Sequence, residues 1–246
     1  MKVEKRAKII ENWIDNYCNT TTFSPKSLII GISGGIDSAV VSTLCALTGR
    51  KTIVLSMPIK QIESQHNLSI KHGKWLETKF KNTKFKTIEL EKLFNSFEKS
   101  LSDFDNEHGL ANSRARLRMT TLYQVAAANF GLVVGTGNKV EDFGVGFYTK
   151  YGDGGVDISP IADCNKSQVW ELGNYLGISK EIIEAEPTDG LWSDGRNDKD
   201  QLGMSYVELE NAMKNKNDSN HERYLEIRKK NLHKMNPVPV CKFDNE

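Results

Sequence analysis

No stretch of this chain stays apolar long enough to cross a bilayer. The opening Met1-Lys2-Val3-Glu4-Lys5-Arg6 leads into no apolar run of the signal-peptide kind. An excess of one charge sign is missing too. The 33 basic and 32 acidic residues leave a formal net charge of +1, which gives no broad electrostatic reason to bind nucleic acid or an anionic membrane. Cysteine is scarce. Cys18, Cys45, Cys164 and Cys241 are scattered with no Cys-x-x-Cys pair, which argues against structural zinc and for a reduced, cytoplasmic setting. There is no internal repeat and no low-complexity tract. With 246 residues the chain can bury a full core and reads as one domain, 1–246.

Two common phosphate loops are also absent: no Lys-Ser/Thr closes a Walker loop, and there is no G-x-G-x-x-G. What stands in their place is Leu28-Ile29-Ile30-Gly31-Ile32-Ser33-Gly34-Gly35-Ile36-Asp37-Ser38. The unbroken apolar run reads as a strand buried on both faces, as in a parallel sheet. Two glycines then lead into a helical pattern at Ile36, Val40, Leu44 and Leu47. A strand, a glycine bend and a helix N-terminus make an anion site, with unpaired N–H groups aimed at the bound charge. Asp37 is the exception in that loop. A carboxylate repels phosphate unless a cation lies between them, so Asp37 reads as a Mg²⁺ ligand. Taken alone, Asp37 is an ordinary first-turn acid, and Ser33 and Ser38 are ordinary caps.

The rest of the chain alternates strand and helix patterns. Lys2 to Tyr17 reads as an amphipathic helix and 52–57 as a second buried strand stopped by Pro58. A helix is expected over Glu63 to Phe80, an edge strand over Phe85 to Leu90, and a helix around Leu93, Phe94 and Phe97. Asn112 to Phe130 is the longest helical pattern, with Arg114 and Arg118 at i, i+4 and Arg116 projecting elsewhere. Leu132 to Asn138 reads as a strand running into a glycine turn. Ile158-Ser159-Pro160-Ile161 reads as the end of another, and Asn165 opens a helix with Lys166 in its first turn. A cation there opposes the helix dipole unless an anion arrives. Pro187 to Gly203 lacks any apolar period and is expected to be a mobile lid, 187–203. Two final helices are expected over Ser205 to Asn215 and Asn220 to Met235. This order predicts an α/β fold, doubly wound, with a mainly parallel sheet and helices on both faces.

The glycine bend resembles the Ser-Gly-Gly-x-Asp-Ser pyrophosphate loop (31–38) of the ATP pyrophosphatases, which cleave ATP to AMP and pyrophosphate while adenylating a substrate. Two further segments resemble the ammonia-dependent NAD synthetases within that superfamily. One is Asn112-Ser113-Arg114-Ala115-Arg116-Leu117-Arg118-Met119; the other runs from Gly135-Thr136 through Phe147-Tyr148-Thr149-Lys150-Tyr151-Gly152-Asp153-Gly154-Gly155 to Asp157. The resemblance implies a Rossmann-like fold of the adenine-nucleotide α-hydrolase kind and amidation of deamido-NAD by ammonia at the expense of ATP. It implies ATP contacts from Gly31, Ile32, Ser33, Gly34, Gly35, Ile36, Asp37, Ser38, Thr136, Lys166 and Thr188. Arg116, Lys150, Asp157, His233 and Lys234 fall on positions that bind deamido-NAD, and Asp37 and Glu141 on positions that bind Mg²⁺. Counting forward from Thr136 selects Glu141 as the second ligand, whereas counting back from Lys150 selects Asp142; Glu141 keeps the family spacing. The amidation step needs a group to deprotonate ammonium, and Asp153 is the candidate. No glutaminase region is read before the loop, so free ammonia is the expected donor, and the family implies a homodimer. The alternatives are another adenylating pyrophosphatase (GMP-synthetase-like or tRNA-modifying) and a non-catalytic nucleotide sensor.

Overall fold

The computed structural model describes residues 1–188, 190 and 197–243. Four parallel strands form its sheet in the order β3-β2-β1-β4: β1 Ser27–Gly31, β2 Thr52–Ser56, β3 Thr83–Thr87 and β4 Gly131–Val133. Leu28 lies opposite Thr52 on one side and Leu132 on the other. The two-residue period of β1 divides the core. Leu28 and Ile30 face α1 (Val3–Thr20), α2 (Ile36–Leu47) and α6 (Lys166–Leu176) through Ile14, Leu44 and Leu172. Ile29 points to the opposite face, against Phe94 of α4 (Glu91–Ser100) and Ala126 of α5 (Glu107–Ala128). β1 and β2 read as apolar runs because both of their faces are covered. A third helix, α3 (Glu63–Lys79), packs Leu76 against Val54 beside α2, and α7 (Lys180–Ile183) buries Ile182 next to α6.

The remaining helices stand at one end of the sheet. They are α8 (Asp198–Leu202), α9 (Tyr206–Lys214) and α10 (His221–Met235), and they bury Leu202, Tyr206, Leu209 and Tyr224 against the short π-helix Lys139–Val145. No helix among the described residues is long and apolar enough to cross a membrane.

The doubly wound parallel sheet follows the sequence expectation, with four differences in detail. The long helix starts at Glu107 rather than near Asn112, because the Asn106 side chain accepts from Gly109 N–H at 2.7 Å and caps it there. The edge strand is Thr83–Thr87, not Phe85 to Leu90. The segment at Ile158–Ile161 is no strand; one parallel bridge joins Val134 to Ile158, and Pro160, which has no N–H to donate, stands two residues on. Within the expected lid, 198–202 is helical, opened by Asn197 accepting from Asp200 N–H at 2.8 Å. Residues 189 and 191–196 of that expected lid lie outside the described residues.

One buried polar pair pins α2 to α3. Ser42 Oγ and His72 Nε2 lie 3.0 Å apart, and burial pushes the imidazole down from its usual 6.5 to about 4. The unfolded chain therefore binds more protons between those values, so stability is full above pH 6.5 and falls as pH drops toward 4. By pH 5 this one group costs about 2 kcal/mol. Urea unfolding at pH 7 and pH 5 measures it: His72→Gln is expected to remove that much of the pH dependence, and an unaltered dependence would refute the assignment.

Candidate active site

The site lies at the carboxyl ends of β1 and β4. From β1 the chain goes to β2 on one side, and only later to β4 on the other. The crevice between β1 and β4 is a topological switch point, where open α/β sheets bind their ligands. The bend Ile32 to Gly35 opens into it. Gly34 sits at φ +94°, and a Cβ there would come within 2.5 Å of the Gln65 carbonyl oxygen, so only glycine lets the bend pass α3. Ser33 and Ser38 tie the turn together: Ser38 Oγ donates to Gly35 C=O at 3.0 Å, and Ser33 N–H donates to Ser38 Oγ at 3.2 Å. Gly31 to Ser38, Thr136, Lys166 and Thr188 all line one cavity.

Asp37, in the first turn of α2, meets a set of charges drawn from four other elements. Lys166 Nζ donates to Asp37 Oδ2 at 2.5 Å and to Glu141 Oε1 at 2.8 Å. Asn138 Nδ2 donates to Asp37 Oδ1 at 2.9 Å, while its carbonyl oxygen caps the π-helix by accepting from Val140 and Glu141 N–H. The Tyr206 hydroxyl lies between Glu141 Oε1 and Asp198 Oδ2, 2.6 Å from the latter, and the Tyr206 ring lies under the Lys166 ammonium at 4.7 Å. Burial disfavours the Lys166 charge, but Asp37 and Glu141 more than outweigh it and hold the ammonium protonated. Burial also opposes ionisation of Glu141; Lys166, Tyr206 and Asn138 overcome it and keep the carboxyl below its usual range. Asp142 goes the other way. Its carboxylate lies against Gly137, and burial together with Asp153, Glu141 and Asp37 pushes it well above the usual range.

These residues can hold Mg²⁺. A cation, the Lys166 ammonium, already bridges the two carboxylates, and Mg²⁺ sites combine one or two carboxylates with substrate phosphates. Glu141, not Asp142, is the acid that shares this point with Asp37.

A second cavity adjoins the first. Arg116, Lys150, His233 and Lys234 line it, and Asp153 and Phe147 line both. Its cationic wall is cross-tied: Lys150 Nζ donates to His233 C=O at 3.0 Å, Lys234 Nζ to Tyr148 C=O at 2.8 Å, and Arg116 Nε to Lys150 C=O at 3.3 Å. The three arginines of α5 part company. Arg114 is buried over the Phe94 ring, Arg116 faces the second cavity, and Arg118 lines the first and donates to Met57 C=O at 3.0 Å. Asp157 stands apart from both cavities. Its carboxylate accepts from Tyr123 O–H at 3.0 Å and Val133 N–H at 2.7 Å, fastening the chain beside β4. Asn138, Tyr206 and Asp198 are site residues that the sequence reading missed.

The profile of the NAD synthase family matches residues 6–242. The chain belongs to the NAD synthase family. It is similar to the NH(3)-dependent NAD(+) synthetase of Carboxydothermus hydrogenoformans, 35% identical over 218 residues, covering 85% of this chain and 84% of that one. Among solved structures, the NMN synthetase of Francisella tularensis superposes with a TM-score of 0.90 at 31% identity, covering 99% of this chain and 100% of the other. The NH3-dependent NAD synthetase of Campylobacter jejuni superposes with a TM-score of 0.78 at 25% identity, covering 98% and 100%. As a member of this family the chain is a ligase.

The bend makes a sharp prediction. Gly34→Ala puts a side chain at a left-handed φ and against backbone, costing at least about 2 kcal/mol. At Gly35 a Cβ meets only Ser33 Oγ, at 3.3 Å. Gly34→Ala is expected to lower Tm by about 4–8 °C and weaken ATP binding, with Gly35→Ala near wild type. Calorimetry checks both, and equal effects at the two positions would contradict the steric account.

Proposed function

We propose that this chain catalyses ATP-dependent amidation of deamido-NAD (nicotinate adenine dinucleotide) with ammonia, giving NAD, AMP and pyrophosphate through an acyl adenylate. The observation that carries the reading is the junction at Asp153 and Phe147. There a cavity built on a glycine bend and helix N-terminus meets one walled by Arg116, Lys150, His233 and Lys234.

A nicotinate carboxylate resists ammonia because it is anionic and has no adequate leaving group. In the first step a carboxylate oxygen attacks the α-phosphorus of ATP, and pyrophosphate leaves. Two polyanions must approach each other for this. The N–H groups of the bend and of the first turn of α2, with Lys166, hold the phosphates. Asp37 and Glu141 would hold Mg²⁺, which would screen the phosphate charge and stabilise departing pyrophosphate. Arg116, Lys150, His233 and Lys234 bind the acceptor's phosphate-bearing part. In the second step Asp153 takes a proton from ammonium. The resulting ammonia attacks the carbonyl carbon, the C–O bond to AMP breaks, and the departing AMP phosphate takes up the proton that the new amide nitrogen loses. Asp153 is aimed by Thr149 N–H, which donates to its Oδ1 at 3.0 Å.

The working unit in this reading is a cytoplasmic homodimer with α5 at the interface. The free cysteines, three of them buried, fit a reducing compartment.

One finding favours a second acceptor. The Francisella neighbour that superposes at 0.90 is an NMN synthetase, so nicotinate mononucleotide, which carries the same carboxylate without the AMP half, is the competing substrate.

Purified protein with ATP, Mg²⁺ and ammonium is expected to release pyrophosphate in step with amide only when a nicotinate nucleotide is added. Release independent of any acceptor would overturn the reading. A kcat/KM for the mononucleotide above that for the dinucleotide would establish the second substrate. Asp153→Asn is expected to slow amidation from preformed adenylate about 10²-fold or more while leaving adenylation largely intact; a loss under about tenfold removes Asp153 from the base role.

A further inference from the structure

Lys166 is misplaced by ordinary criteria. It stands in the first turn of α6, where a cation opposes the helix dipole, yet it is 2% exposed. Its surroundings account for its burial. An ammonium has three N–H donors; here Asp37 Oδ2 and Glu141 Oε1 accept two, at 2.5 and 2.8 Å, and the Tyr206 ring closes the remaining side at 4.7 Å. Four other elements contribute around it: Asp37 from α2, Asn138 and Glu141 from the π-helix and its cap, Asp198 from α8 and Tyr206 from α9. The two carboxyl groups are the oxygen ligands that a divalent metal would seek, and a resident cation already occupies the point between them.

A free divalent ion therefore meets an obstacle. It must displace the ammonium from both carboxylates that hold it, or sit beside it against like-charge repulsion in a poorly hydrated space. A metal arriving on a triphosphate meets no such obstacle. The phosphate oxygens receive the ammonium while the carboxylates receive the metal, so each cation keeps an anionic partner throughout the exchange.

We propose that Lys166 is an internal counter-ion that closes the Asp37–Glu141 pair to free divalent metal, so that the metal enters only as a nucleotide chelate. The inference rests on the nucleotide reading of this cavity. Its test, however, measures free metal with no acceptor or ammonium present, so failure of the exchange and failure of the amidation reading are told apart.

The experiment is Mn²⁺ titration of the full chain, without nucleotide, followed by electron paramagnetic resonance. Wild type is expected to show weak binding. Lys166→Met, which keeps length and loses charge, is expected to gain affinity about tenfold or more. Lys166→Arg should stay near wild type, and Asp37→Asn placed on Lys166→Met should erase the gain. A Lys166→Met variant that binds free Mn²⁺ no better than wild type overturns the proposal. If that variant does not fold, the wild-type protein still decides. The Lys166 ammonium signal in NMR should hold its position with Mg²⁺ alone and move when Mg²⁺ and a non-hydrolysable ATP analogue are added together. Movement with Mg²⁺ alone overturns the proposal.

Discussion

Two buried carboxylates, Asp37 and Glu141, must stay close enough to act on one cation, and the surrounding architecture serves that constraint. Left to themselves, like charges at such separation in a low-dielectric pocket would spread apart or take up a proton. Lys166 supplies the opposing charge, Asn138 holds the far oxygen of Asp37, and Tyr206 braces Glu141 from the other side. Tyr206 itself is fixed by burial among Leu202, Leu209 and Tyr224. A cluster of C-terminal helices thus reaches the centre of the site through the Tyr206 phenol and Asp198.

The sheet solves a different problem, the placement of backbone N–H groups. A bend pressed against a neighbouring helix can carry no side chain at its tightest point, and Gly34 meets that need where α3 crowds it. Covering both faces of β1 keeps this bend rigid, because Leu28, Ile29 and Ile30 are all fully buried. Preorganised donors of this kind need not reorganise when the charge arrives.

How much of this was legible in the sequence depends on how local each feature is. The buried strands and the glycine bend were readable because apolar runs and paired glycines are local signals. Lys166 was readable as a cation in the wrong turn of a helix. Asn138, Tyr206 and Asp198 were not. Asn138 bonds Asp37 across 101 positions, and no periodicity announces a contact of that range. Tyr206 sits on a helix face as any core aromatic would, and only the fold turns its hydroxyl toward Glu141. Asp198 belongs to a five-residue helix too short to show a period, although the Asn197–Asp200 cap was a local clue. The end of the sheet misled in the opposite sense: the apolar Ile158 pairs with Val134 by a single bridge, and burial without a ladder reads the same as a strand.

The glycine-rich turn after Thr149 shows why composition alone is ambiguous. Gly152, Gly154 and Gly155 would suit a flexible surface loop, yet here they are steric. A Cβ on Gly152 would meet Ala115 at 2.9 Å, one on Gly154 the Tyr148 ring at 2.4 Å, and one on Gly155 Met119 at 2.9 Å. The turn lies flat on α5 because Gly152 and Gly155 are bare, Gly154 clears the Tyr148 ring, and Gly152 N–H closes the turn on Thr149 C=O at 2.9 Å. That flatness carries Asp153 to the junction of the two cavities. The same helix walls both, with Ala115 and Arg118 on one side and Ala111, Asn112 and Arg116 on the other. Alternating small and cationic residues along α5 let one element press the turn into place and still present a charge to each cavity. The glycines and the arginines thus solve one packing problem together, and neither set explains the site without the other.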